Sequence, residues 1–304
     1  MHSDSRNCRP AITMLIAFTL VTALGIGCGP DEQAKKAKAR PSAPLSSREI
    51  KFPAMAVDGG TVYVAQQPDS SDELSIDQLI LRADQELASG NIDEALSLIA
   101  KVRDQEDTAI YFKQSVARIL FGAGEMDAAV EVYDEILKER PDMKPQLWQR
   151  GLALYYAGQF EKGVEQFETH QTYNSQDVEN SVWHMLCQSQ LSSVEEAREK
   201  MIQIDEDTRI PMKQVFEMFA GSGSPEAVFE ACSYDPQNPQ RNGSIYHGLL
   251  YVGLFQEMNG DQEASNETMR KALKCKPLMV GLMAHVAEGH LRARKAYPVD
   301  AKED

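Results

Sequence analysis

The sequence predicts an all-α fold, an array of stacked helical hairpins, and three observations carry that expectation. Gly90, Gly124 and Gly158 recur every 34 residues, each between two apolar-periodic segments of helical length. A small residue stands seven positions before each (Ala83, Ala117, Gly151) and another five after it (Ala95, Ala129, Gly163). Large residues such as Met126, Tyr133, Phe160 and Phe167 fill the slots around them. A helical hairpin needs small side chains where its helices cross and a glycine near its turn. It also needs large apolar residues that seal it onto its neighbours. The central copy, Met143–Tyr173, meets all three conditions.

The chain opens with a leader. Arg6 and Arg9 precede the uncharged apolar run 11–27, which ends in Leu24-Gly25-Ile26-Gly27-Cys28. A basic start, an apolar stretch and small residues before a break describe a secretory signal over 1–27. The cysteine directly after those small residues resembles the lipobox of bacterial lipoproteins, which implies lipidation at Cys28. At 1.5 Å per residue the run is short for roughly 30 Å of hydrocarbon, which disfavours an uncleaved span. Both readings place the bulk of the chain outside the cytoplasm, in a cell envelope. Residues 28–72 are expected to be a disordered tether, rich in Ala, Lys, Pro and Ser at first. Val62-Tyr63-Val64 offers a short extended segment near its end.

The repeat domain is expected over 73–277. Ser75 with Gln78 reads as a capping box, and Asn91 with Glu94 as a second. The next hairpin runs through IYFKQSVARILF and MDAAVEVYDEILKE to Pro141, which cannot continue a helix. After the central copy, QDVENSVWHMLCQSQ is followed by a third box, Ser193 with Glu196, but its turn position holds Ser192 in place of glycine. A degenerate fifth hairpin starts near Pro211 and resumes at Ser224-Pro225. A sixth follows around Gly253, Gly260 and Ala272. Residues 278–304 supply a helix expected to cover the apolar end of the stack, and a short tail.

These spacings resemble the tetratricopeptide repeat (TPR) family over roughly 73–277. The resemblance implies a right-handed α-solenoid of about five to six hairpins plus the closing helix. It also implies a protein-binding concave face formed by the first helices. Aligned on the family, the groove positions are Tyr111, Gln114, Arg118, Trp148, Leu152, Tyr155, Tyr156, Glu179, Val182, His247 and Leu250. Aromatic side chains beside Arg118 suit a peptide, because rigid rings give contact area at low entropic cost. The competing reading is that the apolar members pack within the array. Some members clamp a terminal carboxylate with Lys and Asn at set positions. Here those positions hold Ile80 and Asp84, Gln114 and Arg118, then Trp148 and Leu152, so that clamp is absent.

Composition narrows the function further. The first 51 residues carry a net charge of +4 and the rest −19, against a total of −15. An acidic body argues against a nucleic-acid partner. Once the leader and Cys28 are set aside, Cys187, Cys232 and Cys275 form no framework and no CxxC. No HExxH, P-loop or GxSxG motif occurs, so no catalytic residue and no cofactor is assigned. The chemical alternative is a metal-dependent enzyme or metal carrier using His170 and His184, which the repeat spacing places on neighbouring elements. A buried hydrogen-bonded histidine pair is the plainer reading. The expectation is therefore a membrane-anchored TPR scaffold that takes a protein or peptide partner in its groove.

Overall fold

The computed structural model describes residues 74–105, 108–232, 241–275 and 281–297. The signal, Cys28, the tether and Val62–Val64 lie outside the described residues. Within them the chain is helical and has no strand. Its hairpins are α1 (Ile76–Ala88) with α2 (Ile92–Arg103), α3 (Ile110–Ala123) with α4 (Met126–Glu139), and α5 (Trp148–Tyr156) with α6 (Phe160–Gln171). Three more follow: α7 (Val178–Leu191) with α8 (Val194–Glu199), α9 (Met212–Phe219) with α10 (Pro225–Ala231), and α11 (Arg241–Met258) with α12 (Gln262–Leu273). A last helix, α13, spans Met283–Ala293. No described helix is long and apolar enough to cross a membrane.

The turn glycines behave as their register requires. Gly90, Gly124, Gly158 and Gly260 have φ of 81°, 92°, 71° and 87°, where a Cβ would be strained. Ser192 stands in extended backbone, so the α7–α8 connection is built differently. Ser75 and Gln78 close the expected capping box. Asn91 does not cap α2; its amide instead donates to Glu86 at 2.8 Å, correcting the second box. Ser193 accepts from the Glu196 amide at 3.2 Å, and Ser224 caps α10 with Pro225 in its first turn. Proline also shifts a boundary: Pro141–Gln146 form a 3-10 turn containing Pro145, so the central hairpin's first helix starts at Trp148.

The small residues sit where helices cross. A Cβ on Gly151 would stand 2.6 and 2.9 Å from two atoms of the Phe167 ring and closer still to a third. Phe167 is itself in the core, at 1 % exposure. Gly151→Ala is therefore expected to lower stability by about 1–3 kcal/mol through overpacking, read as a fall in the urea midpoint at unchanged m-value.

One element departs from expectation. The closing helix α13 does pack beside α12, but its other side lies on α3, in the second hairpin, so it does not simply cover the end of the stack. A Cβ added to Gly289 of α13 would come 2.8 Å from the Phe121 ring and 3.0 Å from its carbonyl oxygen. Gly122 of α3 would meet His285 and Leu87 in the same way. Glycine on both helices lets their backbones approach, and the stack bends round until its last helix meets its second hairpin. The physical reason lies in α13 itself. Ala284 through Leu291 are all buried, with the polar His285, Glu288 and His290 among the apolar residues, so this helix is covered on more sides than one neighbour can supply.

Candidate functional site: the inner face and the cavity beside α13

The first helices of successive hairpins touch one another, α1 on α3, α5 on α7, α7 on α9 and α9 on α11, with Phe121 of α3 edge-on to Tyr156 of α5, and the side they share is the expected inner face. Three groups of polar side chains fasten α13 and its surroundings to it. Arg118 on α3 holds Asp84 in a two-pronged ion pair at 2.6 and 2.7 Å and reaches His285 Nε2 at 3.1 Å. Tyr156 on α5 meets His290 Nδ1 at 3.1 Å, and Ser265 on α12 lies 3.3 Å from its Nε2. Glu257 on α11 pairs with Arg294 and accepts from Tyr155 at 3.3 Å. Burial drives the Tyr155 and Tyr156 phenols up and pushes His290 down to about 4.

These contacts sort the eleven expected groove positions. Leu152, Tyr155, Tyr156, Val182 and Leu250 are buried within the array. Tyr155, Tyr156 and Arg118 are engaged as just described. Tyr251, a neighbour of Leu250, donates to Glu179 at 2.6 Å, and His247 lies 3.8 Å from the same carboxylate. Gln114 and Trp148 are half-buried, and Tyr111 is 58 % exposed with its ring against Phe112. Where α13 reaches the inner face it occupies the place expected for a partner.

Beside α13 one part of the face stays open, as a cavity of about 60 Å³ between α5, α6 and α7. Trp148, Leu152, Phe167, Trp183 and Met283 give it aromatic and aliphatic walls, and His170, Asp177, Glu179 and Asn180 give it polar ones. Two buried wall residues carry an unpaired polar atom. Trp183 Nε1 and Asn180 Oδ1 have no hydrogen-bond partner among the described residues. The Asn180 orientation is fixed by its amide nitrogen, which donates to the Phe167 carbonyl and to Gln171, both at 3.1 Å.

The polar side of the cavity continues into a charge cluster. Arg209 binds Asp177 and Asp207 at 2.5 Å and Glu179 at 2.6 Å. The Asp177 and Asp207 carboxylates also accept from the Glu179 and Val178 amides, which anchors the positive end of α7. Burial works against both carboxylates, yet their bonds to His170 and Arg209 hold Asp177 and Asp207 below their ordinary range. His170 bridges the Pro145 carbonyl at 2.7 Å and Asp177 at 3.9 Å. Burial opposes its imidazolium, but those partners outweigh it and raise its pKa.

His184 lies elsewhere, 3.6 Å from Glu168. Burial lowers its pKa. The two histidines thus have separate carboxylates. Among the described residues, no three His, Cys, Asp or Glu side chains gather as metal ligands. Burial also pushes up the thiols of Cys187 and Cys232, the latter to about 11, so both serve as packing groups against Gly163 and Gly248. Asn180, Trp183, Met283 and Arg209 were not among the expected site residues. Trp183 could have been suspected from its neighbours in VWHMLC, whereas Met283 reaches the cavity only through the return of α13.

Residues 86–155 match the tetratricopeptide repeat family model, which covers α2 to α4, the end of α1 and nearly all of α5. No curated protein matches the chain. Among solved structures, the chain is similar to MamA from Desulfovibrio magneticus RS-1 at 14 % identity and a TM-score of 0.37. That alignment covers 68 % of this chain and 97 % of the solved MamA chain, which runs from residue 41 to the end. It is also similar to a tetratricopeptide repeat protein from Parabacteroides merdae, at 14 % identity and a TM-score of 0.42, over 73 % of this chain and 86 % of that one.

Proposed function

We propose that this protein is a membrane-anchored scaffold that binds a protein or peptide partner at the part of its inner face left open beside α13. The family match over 86–155 supports the scaffold class. The observation that carries the location is the cavity with both tryptophans in its wall, next to a net acidic cluster on the same helix end. A concave, mostly apolar site with a few convergent polar groups is what a partner segment needs for anchorage and orientation. The leader and the Cys28 sequence support tethering to a membrane, with the repeat domain facing an extracytoplasmic compartment.

Two experiments test the reading. Cross-linking capture from native envelopes should recover a partner with the intact chain and lose at least about nine-tenths of it with Trp148→Ala. Trp148 is half-buried, so this variant spares the core better than any change at the bonded Tyr155. Equal capture by both would move the partner off this face, and an empty capture would favour a purely structural spacer. Anchoring is tested separately. Cys28→Ser should abolish incorporation of labelled palmitate and release the chain from membranes; unchanged labelling would overturn the anchor.

A further inference from the structure

We propose that α13 is a resident ligand of the inner face. It fills a helix-binding groove and is exchanged there for a partner helix of matching pattern, with glycine at the crossing and a basic residue five positions on. The inference rests on the scaffold reading, to which it adds a partner class and a built-in competitor.

The seat of α13 is assembled from three hairpins. Arg118 of α3 reaches His285 at 3.1 Å, Tyr156 of α5 meets His290 at 3.1 Å, and Glu257 of α11 pairs with Arg294. Arg118 and Tyr156 are two of the positions expected to touch a partner. Both touch a helix, so a helix is the class of ligand this face accepts. The seam is also selective. A Cβ on Gly289 would stand 2.8 Å from the Phe121 ring and 3.0 Å from the Phe121 carbonyl oxygen. On the other side, Cβ atoms on Gly122 and Gly124 would come 3.0 Å from His285 Nδ1 and from Arg292 Cβ. A ring can turn aside but a helix carbonyl cannot, so a replacement helix must bring its own glycine. Five positions after Gly289, Arg294 shows where that helix needs a cation for Glu257.

The contact is polar where crossings inside the array are not. Gly151 faces the Phe167 ring and Gly163 the Cys187 thiol. By contrast, α13 carries His285, Glu288 and His290 into buried positions. Arg292 Nε and Nη2 are buried with no hydrogen-bond partner among the described residues, although the guanidinium lies 3.7 Å from the centre of the Tyr297 ring. Burying ionisable groups and leaving donors unpaired costs stability, so α13 docks less firmly than its buried apolar surface implies. Undocking returns those groups to water and frees the groove for a competitor.

A labelled peptide of residues 281–297 tests the exchange, with binding to the purified full chain followed by fluorescence anisotropy. The second protein is the chain carrying Arg294→Ala, which loosens the resident helix and leaves Glu257 in the groove to meet the peptide's arginine. The peptide should bind this variant about tenfold tighter than the native chain, because a larger fraction has an open groove. A Gly289→Leu peptide should lose at least about tenfold on both chains. If Arg294→Ala does not fold, hydrogen exchange of the native chain decides. Amides of Met283–Ala293 exchanging while α4 stays protected would support release, and exchange only together with α4 would overturn it.

No binding to either chain would overturn the proposal and make α13 a permanent part of the array. Equal affinity for both chains, or for both peptides, would overturn it by placing the peptide outside the groove. A partner captured from envelopes through Trp148, with no peptide exchange, would sink the resident-helix assignment and leave the scaffold standing. Peptide exchange with an empty capture would do the reverse.

Discussion

Replacing Glu257 by leucine while leaving Arg294 in place should destabilise the protein by about 3 kcal/mol. Arg294 is then left with most of its side chain out of water and no counter-charge. The figure sits at the low end of what breaking a buried pair costs, because Arg294 keeps 28 % side-chain exposure. Two further groups feel the loss: Tyr155 loses its acceptor, and His290 loses a carboxylate 3.8 Å away. Urea denaturation measures the effect. Hydrogen exchange over Met283–Ala293 shows whether it falls on the docking of α13, whose amides should exchange well before those of α4. The double variant Glu257→Leu/Arg294→Met should recover to within about 1 kcal/mol of the native chain, since apolar replacement of both partners removes the stranded charge. If Glu257→Leu alone proves harmless, the pair is a surface contact and α13 is held by packing.

Acid should loosen the same joint. His290 is fully buried among Tyr156, Ser265, Glu257 and Arg294. Burial, opposed by Glu257 and assisted by Arg294, takes its pKa down to about 4. Between the ordinary value near 6.5 and about 4, the unfolded chain binds a proton that the folded chain refuses, so stability falls as pH falls. The full difference corresponds to about 3 kcal/mol, reached near pH 4. His184 acts in the same direction, and His170 in the opposite one: its raised pKa stabilises the fold below 6.5 and is lost as pH rises above that. Asp177 and Asp207, held low, lose their contribution only below their ordinary range near 3.8. Urea midpoints from pH 7 to pH 4 should therefore decline, and His290→Gln should flatten much of the slope. An unchanged slope in that variant would place the acid sensitivity elsewhere.

Much of this molecule is local and was legible. The glycine register locates four turns, and the structure shows why: each of those glycines has a left-handed backbone, which excludes most side chains. The small residues at 151 and 163 mark helix crossings for the same steric reason. Capping was read correctly at Ser75, where both halves of the box exist, and incorrectly at Asn91, whose amide found a stronger acceptor in Glu86. Local spacing cannot foresee such a competitor.

The candidate site was only half legible. Trp148, Leu152 and Glu179 were expected on the inner face and do line the cavity. Tyr155, Tyr156 and Arg118 were expected there too, but they hold α11, α13 and α1. What the sequence determined by itself is the hairpin and its repetition, since helix period, turn backbone and crossing sterics act over a few dozen residues. What only the tertiary structure decided is which inner residues stay open, because that depends on contacts such as Arg118 with His285, 167 residues apart. Periodicity tells which face of a helix must leave water; it carries no information about which distant element will cover it.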